Sequence, residues 1–312
     1  MDILIRCDSS NIIGTGHVMR CLNLCENNLE NNYTFLCRNF NMNISDKIIE
    51  KGHRLILLDY NIEPELEKYN TWIGVKYNEE INDICKILKN DKYDEVIIDH
   101  YGIDFILERK IRDYCKKITV ISDIFNYSHY VDEYINYNCD DMVRVRGINL
   151  NVDTVYKIGI ENLIVNKRFK GKKKIIFNKD VKLICIMMGG SDPFNYTLKV
   201  IKEINDIVIE LGIRVYVILG KSNSHEETIR EYVSDNYKIE RDLNYDDLIE
   251  LYLKVDLCIG SLSVTAYERL LLGVPQICLK IVDNQNIQNR EEFNICKIDN
   301  LRNLFKMNVY IQ

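Results

Sequence analysis

The chain has 312 residues, of which 46% are hydrophobic and 28% charged, with a formal net charge of −6. These values belong to a globular protein of two domains or one large one. They exclude bulk disorder and give no reason to expect nucleic acid, while leaving room for an anionic small ligand held by a local site.

Short apolar runs alternate with longer amphipathic stretches. The first run, Ile3 to Cys7, stops at Asp8-Ser9-Ser10 and is followed by Ile13-Gly14-Thr15-Gly16-His17-Val18-Met19-Arg20. That order predicts a strand, a glycine-bearing loop and a helix that begins at a histidine. Such a loop gathers backbone N–H groups and a helix N-terminus at one point, a setting for an anion. Further strands are predicted over 33–37, 54–58, 96–99 and 118–121, with helices over 17–28, 43–51, 79–88 and 104–115. Strands separated by helical crossovers make a parallel sheet covered on both faces, and ligands bind beyond the C-terminal strand ends. Those ends read Cys7-Asp8-Ser9, Asp99-His100-Tyr101-Gly102 and Ser122-Asp123.

Between about 136 and 180 the rhythm is lost, and the charge run from Lys167 to Lys174 reads as a solvated linker. No aromatic series is interleaved with it, as a nucleic-acid patch would require. The alternation resumes with a strand over 181–188 that ends in Gly189-Gly190-Ser191-Asp192, and a helix over 194–211. Strands follow over 215–219 and 257–260, the second opening into Ser261-Leu262-Ser263-Val264-Thr265 and a helix that stops at Gly273. A strand over 276–279 precedes Asn284-Gln285. The expected architecture is α/β, with two Rossmann-like, doubly wound domains at 1–150 and 151–312 facing across a cleft suited to an elongated ligand.

Eleven cysteines are scattered along the chain without a Cys-x-x-Cys pair, the pattern of reduced, buried thiols rather than of disulfides or zinc. No basic-then-apolar leader opens the sequence, and no apolar run approaches the ~20 residues needed to span a bilayer. A soluble, cytoplasmic monomer with no membrane insertion is expected.

Several residues carry candidate chemistry. The Gly189–Asp192 loop can present N–H groups and a hydroxyl to a phosphate, or it can be a tight turn in which Ser191 or Asp192 caps the next helix. Ser261, Ser263 and Thr265 form a second such loop in the same half, and the repetition favours a diphosphate. Glu268 can accept hydrogen bonds from a ribose, or close a capping box with Thr265. At a helix N-terminus the dipole opposes an imidazolium, so His17 is expected to stay neutral, as a general base must, or to hydrogen-bond the turn. Asp99 and His100 are adjacent on a strand and point to opposite faces, which argues against a metal pair.

Taken in order, the Asp8–Arg20 block, Asp99-His100-Tyr101-Gly102, Gly189-Gly190-Ser191-Asp192 with Asn195, Glu268 and Asn284-Gln285 resemble a known family. It is the UDP-2,4-diacetamido-2,4,6-trideoxy-β-L-altropyranose hydrolase family of pseudaminic acid biosynthesis, related to inverting GT-B glycosyltransferases. The resemblance implies a GT-B-like fold with UDP in the C-terminal half, on Gly189, Gly190, Ser191, Asp192, Ser261, Ser263, Val264, Thr265 and Glu268. It implies His17 as general base toward water, Tyr101 beside the reacting sugar, and Asp8, Gly14, Gly16, Arg20, Asn284 and Gln285 on the substrate. Asp8 is also a candidate to orient His17. No metal or cofactor is implied, because UDP is a good leaving group that helix N-termini and N–H donors can stabilise. The helix with which GT-B folds often return to the first domain would be short here. A GT-B glycosyltransferase acting on a related UDP-amino sugar, or a non-catalytic nucleotide-sugar-binding protein, would use the same loops.

Overall fold

A computed structural model describes residues 1–178, 180–281 and 293–310. The chain divides into two units, Met1–Ile164 and Val165–Gln312.

The first unit runs β1 (Asp2–Cys7), α1 (Gly16–Asn27), β2 (Asn32–Arg38), α2 (Ser45–Glu50), β3 (Arg54–Leu58), α3 (Tyr77–Asn90), β4 (Glu95–Asp99), α4 (Phe105–Ile111), β5 (Lys117–Ile121), β6 (Glu133–Asn136), α5 (Met142–Ile148) and β7 (Val155–Ile158). Its seven strands lie in the order β3-β2-β1-β4-β5-β6-β7. Every pairing is parallel. β4 and all of β1 except Asp2 are buried, as central strands covered on both faces should be. One core layer joins Leu4, Leu36, Val96, Ile98, Ile118 and Val120 of the strands to Ile84, Leu88, Leu107 and Ile111 of α3 and α4. α4 starts at Asp104, whose side chain accepts from the Ile106 N–H.

The second unit runs β8 (Leu183–Met187), α6 (Tyr196–Glu210), β9 (Arg214–Leu219), α7 (Glu226–Tyr232), β10 (Tyr237–Arg241), α8 (Tyr245–Lys254), β11 (Leu257–Ser261), α9 (Val264–Leu272), β12 (Gln276–Leu279), β13 (Asn294–Cys296) and α10 (Ile298–Tyr310). The strand order is β10-β9-β8-β11-β12-β13, again wholly parallel. Ile201, Ile204, Ile207 and Val208 of α6 are buried with Leu301 and Phe305 of α10 in one core.

Both orders are those of a doubly wound Rossmann sheet, and each sheet has one switch point where the winding reverses, β1/β4 in the first and β8/β11 in the second. The expected boundary at 150 falls inside the first unit, because β7 pairs with β6 and completes its sheet. The stretch after 136 that reads as irregular thus contains α5 and β7. The lysine-rich run is not a free linker: Phe169 is fully buried with Leu248 and Tyr252, and the Lys174 N–H donates to the Leu272 carbonyl at 2.7 Å. All eleven cysteines are free thiols and eight are buried. Among the described residues no helix is long and apolar enough to cross a membrane.

Candidate functional site

The strand ends at the two switch points carry most of the residues singled out in the sequence. In the first unit, β1 and β4 pair with Cys7 opposite Asp99, so the loop after β1 and the residues after β4 emerge side by side. The β1 loop is held by Ser10, whose hydroxyl accepts from the N–H groups of Ile12 and Ile13 at 3.2 and 3.0 Å. Gly14 closes it with φ of +82°, a conformation that disfavours a side chain. The positions that a Cβ would take at Gly14 and Gly16 are open space, so a ligand can approach the backbone there. α1 then begins at Gly16, with no side-chain cap, and presents His17 in its first turn.

The imidazole Nδ1 of His17 lies 2.6 Å from Asp99 Oδ1. Asp99 is fully buried and is gripped by Arg20, whose Nε donates to Oδ2 at 2.8 Å and Nη2 to Oδ1 at 2.7 Å. Burial alone would raise the Asp99 pKa, but the Arg20 guanidinium and the hydrogen bonds from Arg20 and His17 outweigh it and hold the carboxyl well below its usual range. An acceptor-only carboxylate requires Nδ1 to carry a proton, which in the neutral tautomer leaves the lone pair on Nε2. Nε2 has no hydrogen-bond partner among the described residues. In that tautomer the ring can accept a proton at Nε2.

Arg20 continues the network, donating from Nη1 to Asp123 Oδ2 at 2.6 Å and to the Tyr137 hydroxyl at 2.7 Å. The Tyr101 hydroxyl donates to the same Asp123 oxygen at 2.8 Å, and burial with the neighbouring Asp123 charge keeps the phenol protonated by pushing its pKa up. The Tyr101 ring stands edge-on to His17, centroids 4.6 Å apart, and is stacked by Trp72 at 5.7 Å. Ile13, Phe40, Trp72 and Tyr101 form a small apolar cluster of their own around this end of the sheet.

One expectation changes here. Asp8 does not orient His17: its carboxylate is enclosed, accepting from the Arg38 N–H at 2.6 Å and pairing with Arg6 at 2.7 Å and His100 at 3.2 Å. Asp99 orients His17 instead. Arg20 is buried, with its guanidinium engaged by Asp99, Asp123 and Tyr137. Asp99 and His100 do point opposite ways, one toward His17 and the other toward Asp8. Asp123 and Trp72 carried no sequence role. The signal for Asp123 was its place just past a strand end; Trp72, directly after the 3₁₀ turn Tyr69–Thr71, left none.

In the second unit β8 and β11 pair with Gly260 opposite Met187. The Gly189 and Ser261 loops therefore leave adjacent strands, and a Cβ at Gly189 (φ of +94°) would sit 3.6 Å from the Ser261 hydroxyl. Ser261, Ser263 and Thr265 form a chain of hydroxyls with steps of 3.0 and 3.0 Å. Arg269 braces this loop from inside, donating to Thr265 Oγ1, the Ser261 carbonyl and Gln276 Oε1 at 3.3, 3.4 and 2.8 Å. Gly260 makes room for it, since a Cβ there would meet both terminal guanidinium nitrogens at 2.9 Å and the Met187 carbonyl at 2.7 Å. The N–H groups of Val264 and Thr265, at the start of α9, have no hydrogen-bond partner among the described residues. Unpaired donors and hydroxyls at a helix start suit an anion.

Asp192 differs from expectation. It is buried and accepts from the N–H groups of Tyr196 and Thr197 and from the Thr197 hydroxyl, at 2.8, 2.8 and 2.7 Å. It therefore shapes the turn into α6, with Asn195 as the cap, and its carboxylate is not offered to a ligand. Gly189, Gly190 and Ser191 of that loop are half-buried.

Glu268 lies one turn into α9. Only 3% of it is exposed and it has no hydrogen-bond or ion-pair partner among the described residues. Burial, opposed by the nearby Arg269 charge, pushes its pKa up to about 8. The capping box with Thr265 is absent, because the cap of α9 is Ser263 and Glu268 reaches back to no N–H group. Asn284 and Gln285 lie outside the described residues.

No protein-family model matches the chain. It is 32% identical to an uncharacterized protein of Methanocaldococcus jannaschii, over 98% of this chain and 59% of that relative, so it spans well under two thirds of the relative's length. It is 23% identical to the spore coat polysaccharide biosynthesis protein SpsG of Bacillus subtilis, over 87% of this chain and 75% of SpsG. It is also 23% identical to the UDP-2,4-diacetamido-2,4,6-trideoxy-β-L-altropyranose hydrolase of Campylobacter jejuni, over 91% of this chain and 93% of that protein. These are distant homologies, a link at the level of a broad family. Among solved structures, Acinetobacter baumannii MurG superimposes with a TM-score of 0.57 at 13% identity, covering 98% of this chain and 90% of its own. Arabidopsis thaliana UGT89C1, complexed with UDP-L-rhamnose, gives 0.62 at 11% identity, with 99% and 89% covered. These likenesses show the fold: GT-B-like, built of two Rossmann-like parallel-sheet units.

Proposed function

We propose that the chain is a nucleotide-sugar hydrolase that releases UDP from a UDP-linked diacetamido-trideoxyhexose, with His17 as general base. The observation that carries this reading is the Asp99–His17 pair, which leaves Nε2 without a partner among the described residues, beside Tyr101 and the open backbone of Gly14 and Gly16. The distant homology to the Campylobacter jejuni hydrolase over 91% of this chain supports the substrate class.

In the proposed step, Nε2 takes a proton from water as the water oxygen bonds to the anomeric carbon. The bond from that carbon to the diphosphate oxygen breaks on the opposite face, its electron pair leaves with UDP, and the sugar inverts. Asp99 stabilises the imidazolium that forms, and Arg20 keeps Asp99 ionised throughout. Tyr101, fixed by Asp123 and Trp72, would shape the sugar's surroundings. The second unit would hold UDP: Gly189, Gly190 and Ser191 with Ser261, Ser263, Val264 and Thr265 on the diphosphate, and Glu268 on the ribose hydroxyls. Asn284 and Gln285 would complete the substrate contacts. The pull on the leaving group comes from N–H groups, hydroxyls and a helix start.

A glycosyltransferase of the same fold would use the same groups on an acceptor hydroxyl. UDP release from UDP-2,4-diacetamido-2,4,6-trideoxy-β-L-altropyranose in the absence of any acceptor separates the two. The hydrolase reading expects steady release by wild type and a loss of about 10²–10⁴-fold in His17→Ala. No release without an acceptor, or equal rates in the two proteins, would remove it.

A further inference from the structure

The lysine-rich run reads in the sequence as solvated linker, yet the structure fastens it down. Phe169 is buried against α8 and the ring of Tyr245, while the Lys174 ammonium donates to the Leu253 carbonyl at 2.9 Å. Between and beyond these anchors two kinds of side chain are held out into solvent. Lys167, Arg168, Lys170, Lys172 and Lys173 are exposed, and they lead directly into Ile175, Ile176 and Phe177, which are 85%, 67% and 60% exposed. Three consecutive large apolar residues in water are a cost that a folded surface normally avoids.

The nearby acids do not cancel the positive charge. Arg168 meets Asp246 at 3.3 Å, but Lys170, Lys172 and Lys173 have no ion-pair partner among the described residues. The Asp256 carboxylate is turned inward, accepting from Asn178 at 2.7 Å and from the N–H groups of Lys182 and Leu183 at 2.9 and 2.9 Å. Phe177 lines a shallow pocket with Val181, Leu257 and Pro275, which precede or open strands β8, β11 and β12. The patch therefore lies at the N-terminal strand ends of the second sheet, opposite the Gly189 and Ser261 loops.

We propose that residues 167–177 dock this protein on an anionic membrane surface, with the lysines against the lipid headgroups and Ile175, Ile176 and Phe177 in the acyl boundary. A basic cluster with an apolar tip combines the two attractions that hold proteins at such interfaces, electrostatic and hydrophobic. A nucleic acid would use the lysines but has no use for two isoleucines, which cannot stack on bases.

The test is co-sedimentation of the whole chain with vesicles of equal parts phosphatidylcholine and phosphatidylglycerol, against vesicles of phosphatidylcholine alone. Binding is expected on the anionic vesicles only and is weakened by salt. Lys172→Glu with Lys173→Glu should lower the partition coefficient about tenfold or more, and Ile176→Asn with Phe177→Ser should lower it comparably, with unchanged thermal unfolding midpoints. Phe177→Trp should show an emission blue shift on the same vesicles. Four results would overturn the proposal: no sedimentation with anionic vesicles, equal sedimentation of wild type and both variants, single-stranded RNA binding lost only by the lysine variant in place of vesicle binding, or a dimer broken by the apolar variant in its place.

Discussion

His17 Nδ1 and Asp99 Oδ1 are 2.6 Å apart, although 82 residues separate them in the sequence. The contact exists because β1 and β4 are neighbours at the switch point, where Cys7 pairs with Asp99. It makes Asp99 the residue on which the behaviour of His17 depends.

Asp99→Asn therefore serves as the sharpest single substitution. An amide can donate to Nδ1 and so favour the tautomer with the proton on Nε2, which cannot accept one from water. The expected outcome is a fall in kcat for UDP release of about 10³–10⁴-fold with little change in KM. Combining it with His17→Ala should cost no more than the worse single change. Steady-state kinetics of the three variants decide the matter.

Arg20 is a positioning cation with two carboxylates, Asp99 and Asp123, on one guanidinium. Arg20→Met leaves the fully buried Asp99 and the half-buried Asp123 without that cation, and removing the partner of a buried charge costs about 3–5 kcal/mol. Denaturant unfolding should show the loss at pH 7. The loss should shrink in acid, as the native Asp99 carboxyl of the variant takes up a proton. A variant as stable as wild type at pH 7 would show that the network does not hold this end of the sheet.

Glu268 gives a pH signature whose sign is fixed by its raised pKa. The native state keeps its proton up to about pH 8, whereas the unfolded chain releases it near 4.5. The native state thus binds more protons in that window, so this residue's contribution to stability is fully present below about 4.5 and is lost as pH rises to 8. Glu268→Gln should match wild type near pH 4.5 and exceed it above pH 8, by on the order of a few kcal/mol. Thermal or urea unfolding at both ends of the window checks this. If Glu268 receives ribose hydroxyls, wild-type affinity for UDP should rise through the same window and that of Glu268→Gln should stay flat, which calorimetry can measure.

Gly260→Ala tests the packing beneath the hydroxyl loop. The added methyl would meet the Met187 carbonyl at 2.7 Å and the Arg269 guanidinium at 2.9 Å. Overpacking of this kind costs about 1–3 kcal/mol, and displacement of Arg269 should weaken UDP binding as well. An alanine variant with native stability and native UDP affinity would show that Arg269 has no bracing role.

Much of this was legible in the sequence because α/β units announce themselves through period and punctuation. Strands β1, β3, β4 and β5 follow apolar runs closed by Asp or Ser. What escaped detection has physical reasons. β6 is only four residues long and ends in buried Glu133 and Asn136, and β7 is a short strand at the sheet edge, so neither shows a clear apolar pattern. His17 was readable as a candidate base from its position at a helix start, beside the alternative of a histidine that hydrogen-bonds the turn. Its partner was not, because choosing Asp99 over Asp8 requires the strand order, and Asp8 is nearer only along the chain. Glu268 showed the opposite case: Thr265-x-x-Glu268 fits a capping box by spacing, but the cap is at Ser263 and the carboxylate has no partner among the described residues. Arg269 lies beside it and left no signal, since a lone arginine on a helix reads as surface.

The central claim is that His17 activates water against the anomeric carbon of a UDP-sugar, and oxygen-18 water tests it most directly. UDP-2,4-diacetamido-2,4,6-trideoxy-β-L-altropyranose would be turned over in labelled water without an acceptor, and the UDP formed would be weighed by mass spectrometry. The account predicts unlabelled UDP, label in the rapidly quenched sugar, and loss of the reaction in His17→Ala. Label in the UDP would place the cleavage at phosphorus, and turnover that survives His17→Ala would remove the base; either result would contradict it.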